Sequence, residues 1–288
     1  MSRRSGWSAL GALALATALT ACGDSGPSKS EFIAKADGSC AAGNTAISSA
    51  AKPTNGPQVA TAAGTAVSTV DGQVAMLRAM KTPGGKDKAQ VEAVIAAISE
   101  VSAPTKALQD AAGRNDDAAM AKAGIEMQSK VDAAATSAQT YGLTQCGTGL
   151  KPAVGNLFEG AKSVVKSSYV TKAADLCRNF DRKANSLAAP GSSLASLGRY
   201  LDAVLPLVVK LATDLRALPV PPGDEGVVAD YLAAIDSLNA KSKEASAAAK
   251  ANNTRLLGAL AQELEVAGTA VNAKLDAYGL KTCGTVGS

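Results

Sequence analysis

The chain contains no histidine. Catalytic triads built on imidazole are therefore excluded, and so are the usual histidine-bearing zinc sites. Phenylalanine, tryptophan and tyrosine together make up only 3% of the residues. A core built without them is thin, because burial stabilises by about 25 cal/mol per Å² and small side chains offer little area. Alternating runs of β-branched residues are scarce, which argues against sheets. No apolar run reaches the roughly 20 residues that a membrane-spanning helix needs. There is no Cys-x-x-Cys pair and no glycine-rich phosphate loop, so a redox dithiol and a nucleotide cradle are both disfavoured. The formal charge is +4, and removing Arg3 and Arg4 with a leader brings it nearer to zero. A nucleic-acid partner, which needs a clustered basic face, is not expected.

The residues that are present begin with an address. Arg3 and Arg4 precede an apolar stretch from Trp7 to Ala18, and Leu19-Thr20-Ala21-Cys22 follows. A basic start, a short apolar stretch and small residues before a cut site form a secretory signal. Leu19-Thr20-Ala21-Cys22 resembles the bacterial lipobox. The resemblance implies diacylglycerol transfer to the sulfur of Cys22 and cleavage after Ala21. Two acyl chains hold a protein stably at a membrane where one is marginal. Residues 1–21 are read as a lipoprotein signal peptide and 22–29 as a flexible tether. The expected location is the extracytoplasmic face of the cell membrane, with the lipid as anchor.

The mature part is self-similar at an offset of 137 residues, and such periods reveal architecture. Phe32-Ile33-Ala34-Lys35-Ala36 aligns with Tyr169-Val170-Thr171-Lys172-Ala173. Cys40 aligns with Cys177, Pro53 with Pro190, Tyr141-Gly142-Leu143 with Tyr278-Gly279-Leu280, and Cys146 with Cys283. Around Leu77 and Leu215 the offset is 138. Two copies of one unit follow, repeat 1 over 30–148 and repeat 2 over 167–286, with 149–166 as a linker that has room for a short helix.

Abundant alanine, the best helix former, and apolar spacings of three and four predict four helices in each copy. In the first copy these are residues 29–51, 56–81, a third helix through Val91 to Val101 with a kink at Pro104, and a fourth ending at Tyr141. The second copy carries larger residues on its second helix, including Leu197, Leu201, Leu205 and Leu211, with a kink at Pro206. It is therefore expected to bury more and to be the more stable half. Short turns between long helices imply an up-down bundle. The fold class expected is all-α: two tandem up-down four-helix bundles, each closed by one disulfide.

Four cysteines besides Cys22 allow three pairings. Repeat symmetry selects Cys40–Cys146 and Cys177–Cys283, each spanning 106 residues. Helices 1 and 4 of an up-down bundle are neighbours, which makes these pairings easy. Closing a loop of about 100 residues stabilises by roughly 4–5 kcal/mol. A metal site is the weaker reading of the cysteines, given the absence of histidine.

No catalytic, cofactor-binding or metal-ligating residue is assigned. The carboxylate pairs Asp224/Glu225, Asp230/Asp236 and Glu263/Glu265 are read as solvated helix faces or first-turn acids. Met76, Met80, Met120 and Met127 are read as core filler. Tyr141 and Tyr278 precede capping glycines and are placed at the bundle end. Arg78 and Arg216 complement helix C-termini. With its lipobox and alanine-rich helices, and its Leu215–Glu225 segment (Leu-Arg-Ala-Leu-Pro-Val-Pro-Pro-Gly-Asp-Glu), the chain resembles secreted helical lipoproteins of high-GC actinobacteria. That resemblance implies an envelope location and transfers no activity. The expectation is a non-enzymatic, membrane-anchored interaction or ligand-binding module, whose partner is an envelope protein or a small ligand. A carrier of a small apolar molecule is the alternative, and a hydrolase using only carboxylates is a remoter one.

Overall fold

A computed structural model describes residues 26–284, and every regular element among them is a helix. The first, α1 (Lys29–Ser48), opens on a capping box. Ser28 accepts the Glu31 amide at 3.3 Å, and the Glu31 carboxylate accepts the Ser28 amide at 2.8 Å. Two otherwise orphaned amides are thereby satisfied. In α2 (Gly56–Ala79), Asn55 caps the start and Pro57 occupies the first turn, where no intrahelical amide is needed. Its residues Val59, Ala63, Ala66, Val70, Val74 and Leu77 form one buried stripe.

The expected third helix is two helices, α3 (Lys86–Ser99) and α4 (Ser102–Gly113). Pro104 does more than kink the chain. Its ring clashes with the carbonyl four residues back, and the break falls there, at Glu100–Val101. Pro104 itself lies in the first turn of α4. Next, α5 (Asp117–Tyr141) starts on an Asp116 cap and ends at Gly142, whose φ of 105° suits glycine.

The largest departure concerns the linker. Residues 149–166 are not a separate connector. They form the first half of a single helix, α6 (Leu150–Asn185), that continues into the second repeat. Pro152 falls in its first turn, and no glycine or proline separates Val165 from Tyr169 to stop it. Leu150, Ala153, Val154, Leu157, Ala161 and Val165 are buried in the first core. The first bundle thus borrows a sixth helix: α6 packs on α1, α2 and α5. Gly160 permits the closest approach, since a Cβ there would lie 2.5 Å from Pro53 Cδ.

The second bundle comprises the later half of α6 with α7 (Leu194–Arg216), α8 (Glu225–Lys250), α9 (Thr254–Tyr278) and the short α10 (Lys281–Gly284). Helix α7 runs through Pro206 without interruption. Antiparallel neighbours α7–α8 and α8–α9 pack along their lengths. The expectation that this copy buries more is overturned. The main buried apolar cluster of the first bundle has 34 residues and that of the second has 14, with a satellite of 3. Large side chains on α7 do not compensate, because only Gly198, Ala212 and Leu215 of that helix are buried.

Both predicted cross-links are present. Cys40–Cys146 joins Cα atoms 5.0 Å apart and Cys177–Cys283 joins Cα atoms 5.2 Å apart. The first is braced by Asp37, whose carboxylate accepts from the amides of Thr144 (3.0 Å), Gln145 (2.8 Å) and Cys146 (3.3 Å). The second copy has Ala174 at that place.

Candidate functional site

A polar cluster lies at the disulfide end of the second bundle, where α6, α8 and α9 meet. Tyr278 ends α9 and is buried, and the left-handed Gly279, φ 102°, follows it. Its hydroxyl donates to Asp224 Oδ2 at 3.0 Å. Asp224 precedes α8 and is itself buried. Two lysines one helical turn apart on α6 neutralise it, Lys166 at 3.2 Å and Lys162 at 3.7 Å. Lys166 also lies over the Tyr278 ring, 4.5 Å from its centroid, a cation–π arrangement. Tyr169 stands edge-on to Tyr278 at 5.8 Å and 89°, and the hydroxyls of Tyr169 and Tyr231 are hydrogen-bonded.

The first bundle holds a reduced version in the same register. Lys29 lies 4.4 Å from the Tyr141 ring centroid, and Phe32 meets that ring edge-on at 6.1 Å. Asp87 stands where the second copy has Asp224, and Phe32 where it has Tyr169. The Tyr141 hydroxyl is buried with no hydrogen-bond partner among the described residues. Lys29, Lys166 and Asp87 were missed by motif reading, and Asp224, read as a solvated or first-turn acid, is instead buried. The 137-residue offset was the signal, since it also pairs Lys29 with Lys166 and Asp87 with Asp224.

Burial pushes the Tyr278 hydroxyl well above its ordinary value of 10.0, and the Asp224 bond pushes it further. Tyr231 is raised by burial first and by Tyr169 second. Tyr169 is raised by burial. These phenols stay neutral at physiological pH and supply no phenolate. Asp224 already receives a hydroxyl and two ammonium groups. Such a cluster ties the end of α9 and the start of α8 to the middle of α6.

The other residues singled out in the sequence scatter. Asp230 pairs with Lys274, Asp236 with Arg216 and Glu263 with Lys241, so these acids go to separate cations on neighbouring helices. Met120 and Met127 are fully buried core filler, whereas Met76 is 49% exposed. Arg78 and Arg216 lie in the last turns of α2 and α7. No group of three metal-ligating side chains occurs among the described residues. Cys22 and residues 1–21, read from the sequence as a signal peptide, lie outside the described residues.

No protein-family model, curated protein or solved structure matches this chain. Its function must be argued from its own surfaces. Among the described residues no helix is long and apolar enough to cross a membrane. A crevice between α6 and α7, lined by Leu176, Phe180, Leu207 and Leu211, offers about 30 Å³, room for one water molecule. The longer grooves flanking α7 are open to solvent and bordered by Asp202, Lys210 and Lys243.

Proposed function

We propose that this chain is a lipid-anchored protein of the extracytoplasmic membrane face, and that its two bundles act as a non-enzymatic interaction module. The observation that carries the reading is the pair of symmetry-related cross-links, Cys40–Cys146 and Cys177–Cys283. Disulfides persist in oxidising compartments and are rare in reducing ones. Their presence agrees with the lipobox at Leu19–Cys22. Cross-linked helices joined end to end by one rigid α6 give a stiff body, suited to presenting surfaces. The larger grooves along α7 are open to solvent instead of enclosed, which supports an interaction module over a carrier.

The test has two arms. Cells expressing the chain are labelled with radioactive palmitate, and the mature N-terminal peptide is analysed by mass spectrometry. The expected result is a diacylated Cys22 N-terminus, with label and membrane retention lost in Cys22→Ala. An unlabelled protein retaining residues 1–21 refutes the anchor. Crosslinking in intact cells, followed by purification of the lipidated protein, is expected to yield a specific envelope protein. Turnover of a substrate dependent on Asp224 or Asp230 would refute the non-enzymatic assignment.

A further inference from the structure

Repeat symmetry makes the first bundle a template for the second. In the first, residues 150–165 of α6 lie as a helix across α1, α2 and α5. On α2 and α5, which pack against α6 as well as α4, Val59, Ala63, Ala66, Val70, Met120 and Met127 are at most 1% exposed. Their counterparts at the offsets of 138 and 137 are Leu197, Leu201, Val204, Val208, Leu257 and Leu264. All six are only half-buried. Helix α7 packs on α6 and α8, and α9 on α8 and α10. Among the described residues, no element crosses this face as α6 crosses its equivalent.

Building on the proposed role as an interaction module, we infer that this face of the second bundle is the docking seat for an amphipathic helix of a partner protein. The first bundle supplies the form of the occupant. Its covering helix buries apolar residues at 150, 153, 154, 157, 161 and 165, one stripe at helical spacing. Leucine and valine replace Ala63 and Ala66 on the floor, and Ala261 replaces Gly124, over which Phe158 sits. The raised floor calls for small residues at the centre of the incoming stripe.

Charge fixes the direction of the incoming helix. At the start of the covering helix in the first bundle, Asn44 donates to the Gln145 carbonyl at 2.7 Å and lies against Gly149. The second bundle has Asp181 at this position, half-buried on α6. A carboxylate there complements the positive N-terminal end of a docked helix. The occupant therefore lies with its N-terminus at Asp181, in the same polarity as α6 on the first bundle.

The probe is a fluorescein-labelled peptide of residues 149–168 carrying Leu157→Ala and Phe158→Ala, titrated with the full disulfide-bonded chain and followed by anisotropy. The changes suit the raised floor and weaken competition with α6 in its own seat. The expected result is saturable one-to-one binding in the micromolar range. Leu201→Glu should weaken it at least tenfold and Val227→Glu, on the exposed face of α8, should leave it unchanged. Hydrogen exchange should slow in α7 and α9 when the peptide is added, a readout that does not depend on a variant folding. No binding by the wild-type chain, or binding indifferent to Leu201→Glu in a variant with wild-type circular dichroism, overturns the inference. So does binding of the full chain to phosphatidylglycerol vesicles that Leu201→Glu abolishes, which would give the face to lipid. A variant that keeps its crosslinked partner while losing the peptide separates failure of this seat from failure of the broader reading.

Discussion

Removing the two disulfides one at a time should have unequal consequences, although the chain-entropy argument makes them equal. Each bridge closes a loop of 106 residues. In the loop-closure account each is worth about 4–5 kcal/mol. What remains after the loss differs. The first bundle keeps most of a buried cluster of 34 residues and its covering helix, while the second keeps most of a cluster of 14. The Asp37 carboxylate, with its three backbone donors, also holds the Cys146 turn in place without the bridge. A loss of this size in a unit of about 120 residues lowers the melting temperature by roughly 15–20 °C. The prediction is that Cys40→Ala/Cys146→Ala melts lower yet stays folded at 25 °C. Cys177→Ala/Cys283→Ala should lose the second bundle near ambient temperature. Hydrogen exchange read peptide by peptide distinguishes the halves, and circular dichroism should show a separate early transition only in the second variant. Equal falls in both variants, or earlier melting of the first bundle, would refute the claim that burial decides the ranking.

Two further outcomes follow from particular contacts. Tyr169, Tyr231 and Tyr278 all have hydroxyls raised above 10.0 in the folded state. Their stabilising contribution is complete below pH 10, where they are neutral in both states. It is lost as the pH climbs from the unfolded value toward the folded ones, because unfolding then releases protons. Denaturant titrations from pH 8 to 12 should show the second bundle weakening above about pH 10, with the tyrosinate absorbance of Tyr169, Tyr231 and Tyr278, isolated by Tyr→Phe variants at the other positions, appearing only as helix is lost. Free ionisation of these tyrosines in a fully helical protein would contradict this. Gly160→Leu places side-chain atoms where Pro53 already stands, 2.5 Å from a Cβ. It should lift α6 from the first bundle and cost about 1–3 kcal/mol, seen as a lower urea midpoint; an unchanged midpoint would show that α6 does not cover that core.

Much of the architecture was legible because it depends on local spacing. The glycines after Tyr141 and Tyr278 mark helix ends where expected, and the Ser28/Glu31 box and the Asn55 and Asp116 caps are equally short-range devices. The disulfide pairing was legible because only one of the three pairings closes each copy on itself. The Lys–Tyr–Asp stations were present in the 137-residue register but were passed over, since each of their residues is ordinary by itself. Their meaning depends on a buried acid, Asp224, that gathers Tyr278, Lys162 and Lys166 from two helices.

The amino-acid order by itself determined that the chain is helical, that it is duplicated, where most helices begin and which cysteines pair. Those properties rest on propensity, capping chemistry and a repeat that can be counted along one dimension. Only the tertiary structure decided that residues 150–165 belong to the first core, and that the leucine-rich α7 is the less buried helix. Hydrophobic periodicity says that a face is apolar without naming what will cover it. In the first bundle α6 supplies the cover, and the second bundle has no such cover among its described residues.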